Sequence, residues 1–129
     1  MVFGLAALVT AGWLKGRINR KNFALITTVF IFSKVLAFLV TRTLAEAIHV
    51  VEYEALAYCI YNAVSPRFSR RDAFSVTLLL ALIAGWSDEA VQYFAPERYY
   101  DLLDVLLNTF SGAFGVVIAS ILHDEGSRG

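Results

Sequence analysis

The chain has 129 residues, room for one domain, and 58% of them are apolar against about 45–50% in soluble domains. Only 17% are charged, where about 25% is usual, and mean hydropathy is +0.63. These values exclude a soluble helical protein, whose outer helix faces need polar residues, and place the chain in a membrane. The formal net charge of zero gives no nucleic-acid signal, and no nucleic-acid partner is expected. The single Cys59 excludes an internal disulfide and a multi-cysteine metal site.

In chain order, residues 1–14 (MVFGLAALVTAGWL) come first. As a helix they reach about 21 Å, short of a roughly 30 Å hydrocarbon core. They read as a short fifth span or as an interfacial segment. No basic n-region precedes them and no A-x-A site follows, so no cleavable signal peptide is expected.

Four stretches then have the length and apolarity of a transmembrane helix: 22–41, 44–64, 73–95 and 101–122. The second carries polar residues at its start. Prolines in SPRFSRRD and APER separate spans two and three, and three and four, where a missing N–H and a restricted preceding residue stop a helix. The expected fold is an all-α integral membrane bundle of four helices. Its parts are an N-terminal segment with a basic loop (1–21), a membrane domain (22–122) and a tail (123–129).

Orientation follows from lysine and arginine. Lys15, Arg17, Arg20 and Lys21 fall in one loop, and Arg67, Arg70 and Arg71 in another; four spans put both on the same side. Loops 15–21 and 65–72 and the C-terminus are therefore expected in the cytoplasm. The opposite side holds Arg42 and Arg98.

Polar groups from three spans then converge at the outer end: Glu46, His49, Glu52 and Tyr53; Asp88, Glu89 and Gln92; Asp101, Asp104 and Asn108. Ionisable groups inside a membrane normally face the bundle interior or a wet cavity. At 100° per residue, Asp104, Asn108, Gly112 and Gly115 fall within about 80° of one another, a stripe polar at one end and small further in. Glu89 and Gln92 are i, i+3 neighbours, and His49 and Tyr53 are i, i+4 neighbours. A bland role competes for several of them. Asp101 and Asp104 sit where carboxylates cap a helix N-terminus, and Tyr93, Tyr99 and Tyr100 fit an interfacial aromatic belt. Lys34 lies inside the first span, with Glu46 and Glu52 as candidate partners and both structural and functional roles open.

The run DEAVQYFAPERYYDLLDVLLNTFSGAFG resembles the VanZ-like family of small membrane proteins, named for a teicoplanin-resistance protein. The features carrying the resemblance are an E-x-x-Q helix end (Glu89, Gln92), a P-x-R turn (Pro96, Arg98) and a D-x-x-x-N-x-x-x-G helix start (Asp104, Asn108, Gly112). An upstream H-x-x-x-Y segment supplies His49 and Tyr53. The chain departs from the family pattern at Ala45 and Glu46, where members often carry an Asp-Lys pair, and at Glu97, where a glycine is usual. The resemblance implies a multi-pass bacterial membrane protein, some of whose relatives lower susceptibility to glycopeptide antibiotics.

Three functions use this polar set. In the first, His49, Tyr53, Glu89, Gln92, Arg98, Asp104 and Asn108 bind a polar headgroup while apolar walls take a tail; a lipid, a lipid-linked envelope precursor, a glycolipid or a lipophilic glycopeptide fits. In the second, His49 and a carboxylate perform acid–base chemistry on such a substrate. In the third, the cluster ties helices together and function lies with a partner protein. No H-E-x-x-H spacing, nucleophile elbow or phosphate loop occurs, so no metal or cofactor is expected.

Overall fold

The computed structural model describes residues 11, 13, 18–41, 43–94 and 102–126. Four helices follow one another: α1 Arg20–Val40, α2 Leu44–Val64, α3 Arg70–Tyr93 and α4 Leu102–Gly126, with no strand among the described residues. The question posed by residues 1–14 falls, apart from residues 11 and 13, outside the described residues; the Trp13 ring stacks on Phe23 of α1 at 4.9 Å.

Local chemistry sets the helix starts. The Asn19 side chain accepts from the Asn22 N–H at 2.9 Å. Thr43 accepts from the Glu46 N–H at 3.2 Å, and its hydroxyl donates to Glu46 Oε1 at 3.0 Å. Ser69 does the same for Asp72, at 3.3 Å and 2.6 Å. Both are S/T-x-x-D/E capping pairs, which satisfy N–H groups left over at a helix start. The second pair starts α3 at Arg70, three residues before the expected boundary at 73, so the end of the 65–72 loop is helical. At the other extreme α4 runs on to Gly126, past the expected end at 122.

The contacts define an up-and-down bundle. Lys34 meets Glu54 and Ala37 clusters with Val50, so α1 and α2 are antiparallel. Val50 shares a cluster with Leu107, and Tyr61 shares one with Val116 and Ala119, so α2 and α4 run parallel. These two form the central pair. α1 lies along one side of it, joined to α4 by Ile18, Ile26, Ile118 and Ile121. α3 lies along the other, through Ala73 packed with Tyr61, Val116 and Ala119.

Of the apolar stretch of α4, 56% is buried, against 17% for α1 and 22% for α3. The outward faces of the flanking helices carry Phe32, Phe38, Leu79 and Ile83, all exposed, as lipid-facing residues are. α1, α3 and α4 are long and apolar enough to cross a membrane. α2 matches α1 in length at 21 residues but carries Glu46, Glu52 and Glu54. It packs in the bundle against α4, with Val50, Tyr53, Glu54, Ala57 and Tyr61 buried. Residues 41–43 reach only about 10 Å, so α2 begins at the level where α1 stops, and it packs along α4 from Val50 to Tyr61.

Lipid tails are as apolar as leucine, so helix association in a membrane rests on close packing. Glycines and alanines provide it here. A Cβ on Gly112 would stand 2.9 Å from the Ala81 Cβ and 4.0 Å from that of Ala57, joining three helices at one level. A Cβ on Gly115 would overlap the backbone of Glu54, 2.8 Å from both its Cα and its carbonyl carbon. The small half of the α4 stripe is the contact surface of the central pair.

Candidate functional site

At the end of the bundle where α1 and α3 finish and α2 and α4 begin, the polar residues fall into two groups. The central α2–α4 pair stands between a seam facing α3 and a groove facing α1.

The seam is built over Gly85. A Cβ there would meet the Asn108 Cβ at 3.4 Å, Tyr53 Cε1 at 3.8 Å and the Val105 carbonyl oxygen at 3.9 Å, ordinary van der Waals distances that mark where Tyr53 of α2 and Asn108 of α4 come in. One turn on from Gly85, Glu89 is fully buried, and Asn108 and Tyr53 are buried as well. Glu52, Asp88 and Glu89 all lie near enough to the Tyr53 hydroxyl to act on it electrostatically. At the mouth, His49 Nδ1 is 3.7 Å from Glu52 Oε2 and 3.7 Å from Asp88 Oδ2. That is beyond hydrogen-bond length, but close enough for a protonated imidazole to be held between two carboxylates. The His49 and Tyr53 rings lie 6.3 Å apart between centroids. Gln92 Nε2 donates to Asp88 Oδ2 at 3.1 Å, so it turns back to the residue four positions earlier.

The groove has a volume of about 400 Å³ and is lined by Leu39, Val40 and Thr41 of the α1 end, Glu46 of α2, and Leu103, Asp104 and Leu107 of α4. Below it a shallow, mostly apolar cleft continues between α1 and α4, sharing Leu107 and lined further by Leu36, Ala37, Val50, Phe110 and Phe114. Near the same depth Lys34 Nζ pairs with Glu54 Oε2 at 2.5 Å, 5.2 Å from the Phe30 ring centroid.

The Lys34 partner is thus neither Glu46 nor Glu52. Antiparallel α1 and α2 set Ala37 beside Val50, which brings position 34 beside 54. Glu46 stands two turns, about 12 Å, further along α2. Glu52 is on the exposed face, with 62% of its side chain accessible, while Glu54 keeps 6%.

The structure therefore gathers Tyr53, Glu89 and Asn108 in the seam with His49 and Gln92 at its mouth, and it puts Asp104 on the groove. Arg98 and Asp101, with the rest of the turn at 95–101, lie outside the described residues. Asp88, which receives Gln92 and faces His49, and Glu46, which lines the groove besides capping α2, stand in the converging polar set but not among the seven candidate ligand contacts. Among the described residues no group of three or more His, Cys, Asp or Glu could hold a metal ion.

Chemically, the groove joins apolar walls to carboxylates, and the seam is a packed polar core. No curated protein and no solved structure matches the chain. A family model described as VanZ/LLP1 matches residues 2–123. The match spans the seam, the groove and the apolar helices of this membrane protein: the chain belongs to the VanZ/LLP1 family.

Proposed function

We propose that the protein binds an amphiphile at the polar end of its bundle: a membrane lipid, a lipid-linked envelope component or a lipophilic glycopeptide antibiotic. The observation that carries this reading is the groove of about 400 Å³, within the roughly 300–1,000 Å³ of small-molecule sites. It combines Leu39, Val40, Leu103 and Leu107 with Thr41, Glu46 and Asp104. An acyl tail on the leucines and a polar head on the carboxylates match that division. In this reading Asp104 meets the ligand on the groove side, while His49, Tyr53, Glu89, Gln92 and Asn108 lie in the seam on the α3 side of the central pair. Arg98 in the following turn supplies a planar fork for a phosphate or carboxylate. The site faces away from the cytoplasm of a bacterial cell, a side supported by Arg20, Lys21, Arg67, Arg70 and Arg71 lying at the opposite end. Family membership supports a role at the envelope, with altered glycopeptide susceptibility as one form of it.

A second reading, a membrane enzyme using acid–base chemistry on a lipid or envelope precursor, draws on one observation. His49 stands between Glu52 and Asp88 at 3.7 Å from each, beside Tyr53, as a base oriented by carboxylates would.

Native mass spectrometry of protein extracted in mild detergent tests the binding reading. Wild type retains a lipid or glycolipid that Asp104→Asn loses at unchanged melting temperature. Identical adducts on both forms, or none on either, overturn it.

A further inference from the structure

We infer that the opposite end of the bundle, where α1 and α3 begin, binds the phosphodiester of an anionic phospholipid on Arg67 and Arg71. The site is separate from the groove and owes nothing to it. Five described basic residues lie at this end: Arg20, Lys21, Arg67, Arg70 and Arg71, all exposed. Three acids accompany them, Asp72 of α3 and Asp124 and Glu125 of α4. Residues 1–17 and 127–129 add Lys15, Arg17 and Arg128 and no acid, so the flanking chain only deepens the positive balance. Clusters of about four to eight Lys and Arg at the end of a membrane helix attract anionic headgroups.

Two of the acids are engaged within the fold. Asp72 Oδ2 receives the Ser69 hydroxyl at 2.6 Å as part of the α3 cap, and Asp124 Oδ2 pairs with Arg70 Nη1 at 2.5 Å. Arg70 is thereby committed to α4. Arg67 precedes it in the turn after α2, and Arg71 follows it in the first turn of α3. Arg67 Nη1 donates to the Ala63 carbonyl at 3.5 Å, a long contact that takes one of the guanidinium's five donors. The backbone from 67 to 71 spans at most about 14 Å, so two long arginine side chains can converge on one phosphate. Each guanidinium fork matches a phosphate bidentately. Phe68, between them, keeps 47% of its surface accessible, an apolar ring where a headgroup meets its acyl chains. The N-terminal dipole of α3 adds to the field that favours an anion here.

The outer surface of α3 continues from Arg71 as a track for the chains. Ser75 and Leu79 follow at four-residue steps, within about 80° on the helix, and Ile83 lies one step further. All three are exposed. Arg71 to Leu79 is about 12 Å along the helix, within the roughly 15 Å of one hydrocarbon leaflet. A phosphate on Arg71 therefore sets its acyl chains along Leu79 and toward Ile83.

The test adds an equimolar mixture of phosphatidylglycerol and phosphatidylcholine, with matched chains, to detergent-purified protein and reads retained lipid by native mass spectrometry. Phosphatidylglycerol should be retained about tenfold over phosphatidylcholine, the scale of one to two arginines at an anionic headgroup. Arg67→Gln/Arg71→Gln should bring that ratio to within about twofold of parity, and Arg71→Gln alone should lower it about threefold. These side chains are exposed, so the variants should keep the wild-type melting temperature. The wild-type ratio should also fall as ammonium acetate rises from about 0.1 M to 1 M, because the Debye length shrinks from about 10 Å to 3 Å. Glycerophosphoglycerol, the same head without chains, should not displace the lipid at equal concentration. Equal retention of the two lipids by wild type overturns the inference, as does a preference that survives in Arg67→Gln/Arg71→Gln. Displacement by glycerophosphoglycerol would make the ligand a soluble phosphodiester and overturn the lipid assignment.

Discussion

Lys34 and Glu54 are opposite charges in the middle of helices that otherwise meet through Ile, Ala, Val and Leu. Their 2.5 Å contact is half-shielded on the lysine side, with 27% of that side chain exposed, and nearly closed on the glutamate side. Glu54 Oε2 takes the ammonium while Oε1 has no hydrogen-bond partner among the described residues, so the carboxylate depends on Lys34. Removing one member of a buried pair strands the other, at a cost of about 3–5 kcal/mol, whereas replacing both with apolar residues is often neutral. Lys34→Met should therefore lower stability in detergent by that amount, and Lys34→Met/Glu54→Met should recover most of it. Thermal unfolding of the four forms in one detergent checks this. A double variant as weak as Lys34→Met would mean that the loss lay in α1 packing rather than in an orphaned charge.

Helix against helix, the glycines of α3 and α4 make graded predictions. Gly115 lies on the Glu54 backbone, which cannot move aside as a side chain can, so Gly115→Ala forces α2 and α4 apart. At Gly85 the nearest contact is 3.4 Å, ordinary van der Waals distance. Gly115→Ala should lose at least the roughly 1–3 kcal/mol of an overpacked core, while Gly85→Ala should be neutral or gain up to about 1 kcal/mol from helix propensity. Melting temperatures of the two variants give the comparison, and equal losses would contradict the close approach at Gly115. The α4 stripe was legible in the sequence because an i, i+4, i+8 spacing depends only on helix geometry, and so were the helices themselves, from apolar length. The division of the polar residues was not legible. Asp104 and Asn108 share a helix face, and only the position of α4 between α1 and α3 decides which neighbour each one meets. The Lys34 partner likewise depended on where α1 stops relative to α2, a matter of linker length rather than of composition. The start of α3 was within reach, since Ser69-x-x-Asp72 is a capping spacing, but the apolar run beginning at Ala73 masked it.

Across the whole bundle, the described basic residues other than Lys34 sit at one end. Arg20, Lys21, Arg67, Arg70 and Arg71 lie where α1 and α3 begin, with Arg70 Nη1 paired to Asp124 Oδ2 at 2.5 Å across to α4. The far end carries Glu46, Glu52, Asp88, Glu89 and Asp104. If cations are retained on the cytoplasmic side during insertion, the groove faces outward. Single cysteines in a Cys59→Ser background test that orientation, because Leu44 and Arg67 are exposed at opposite ends. With a membrane-impermeant maleimide on intact cells, Leu44→Cys should label at least about tenfold more than Arg67→Cys, and permeabilisation should bring Arg67→Cys up to match. The reverse pattern would turn the groove toward the cytoplasm. A glycopeptide or an exported envelope precursor could not then reach Glu46 and Asp104 from outside. A membrane lipid of the inner leaflet still could, so the candidate occupants separate on this one measurement.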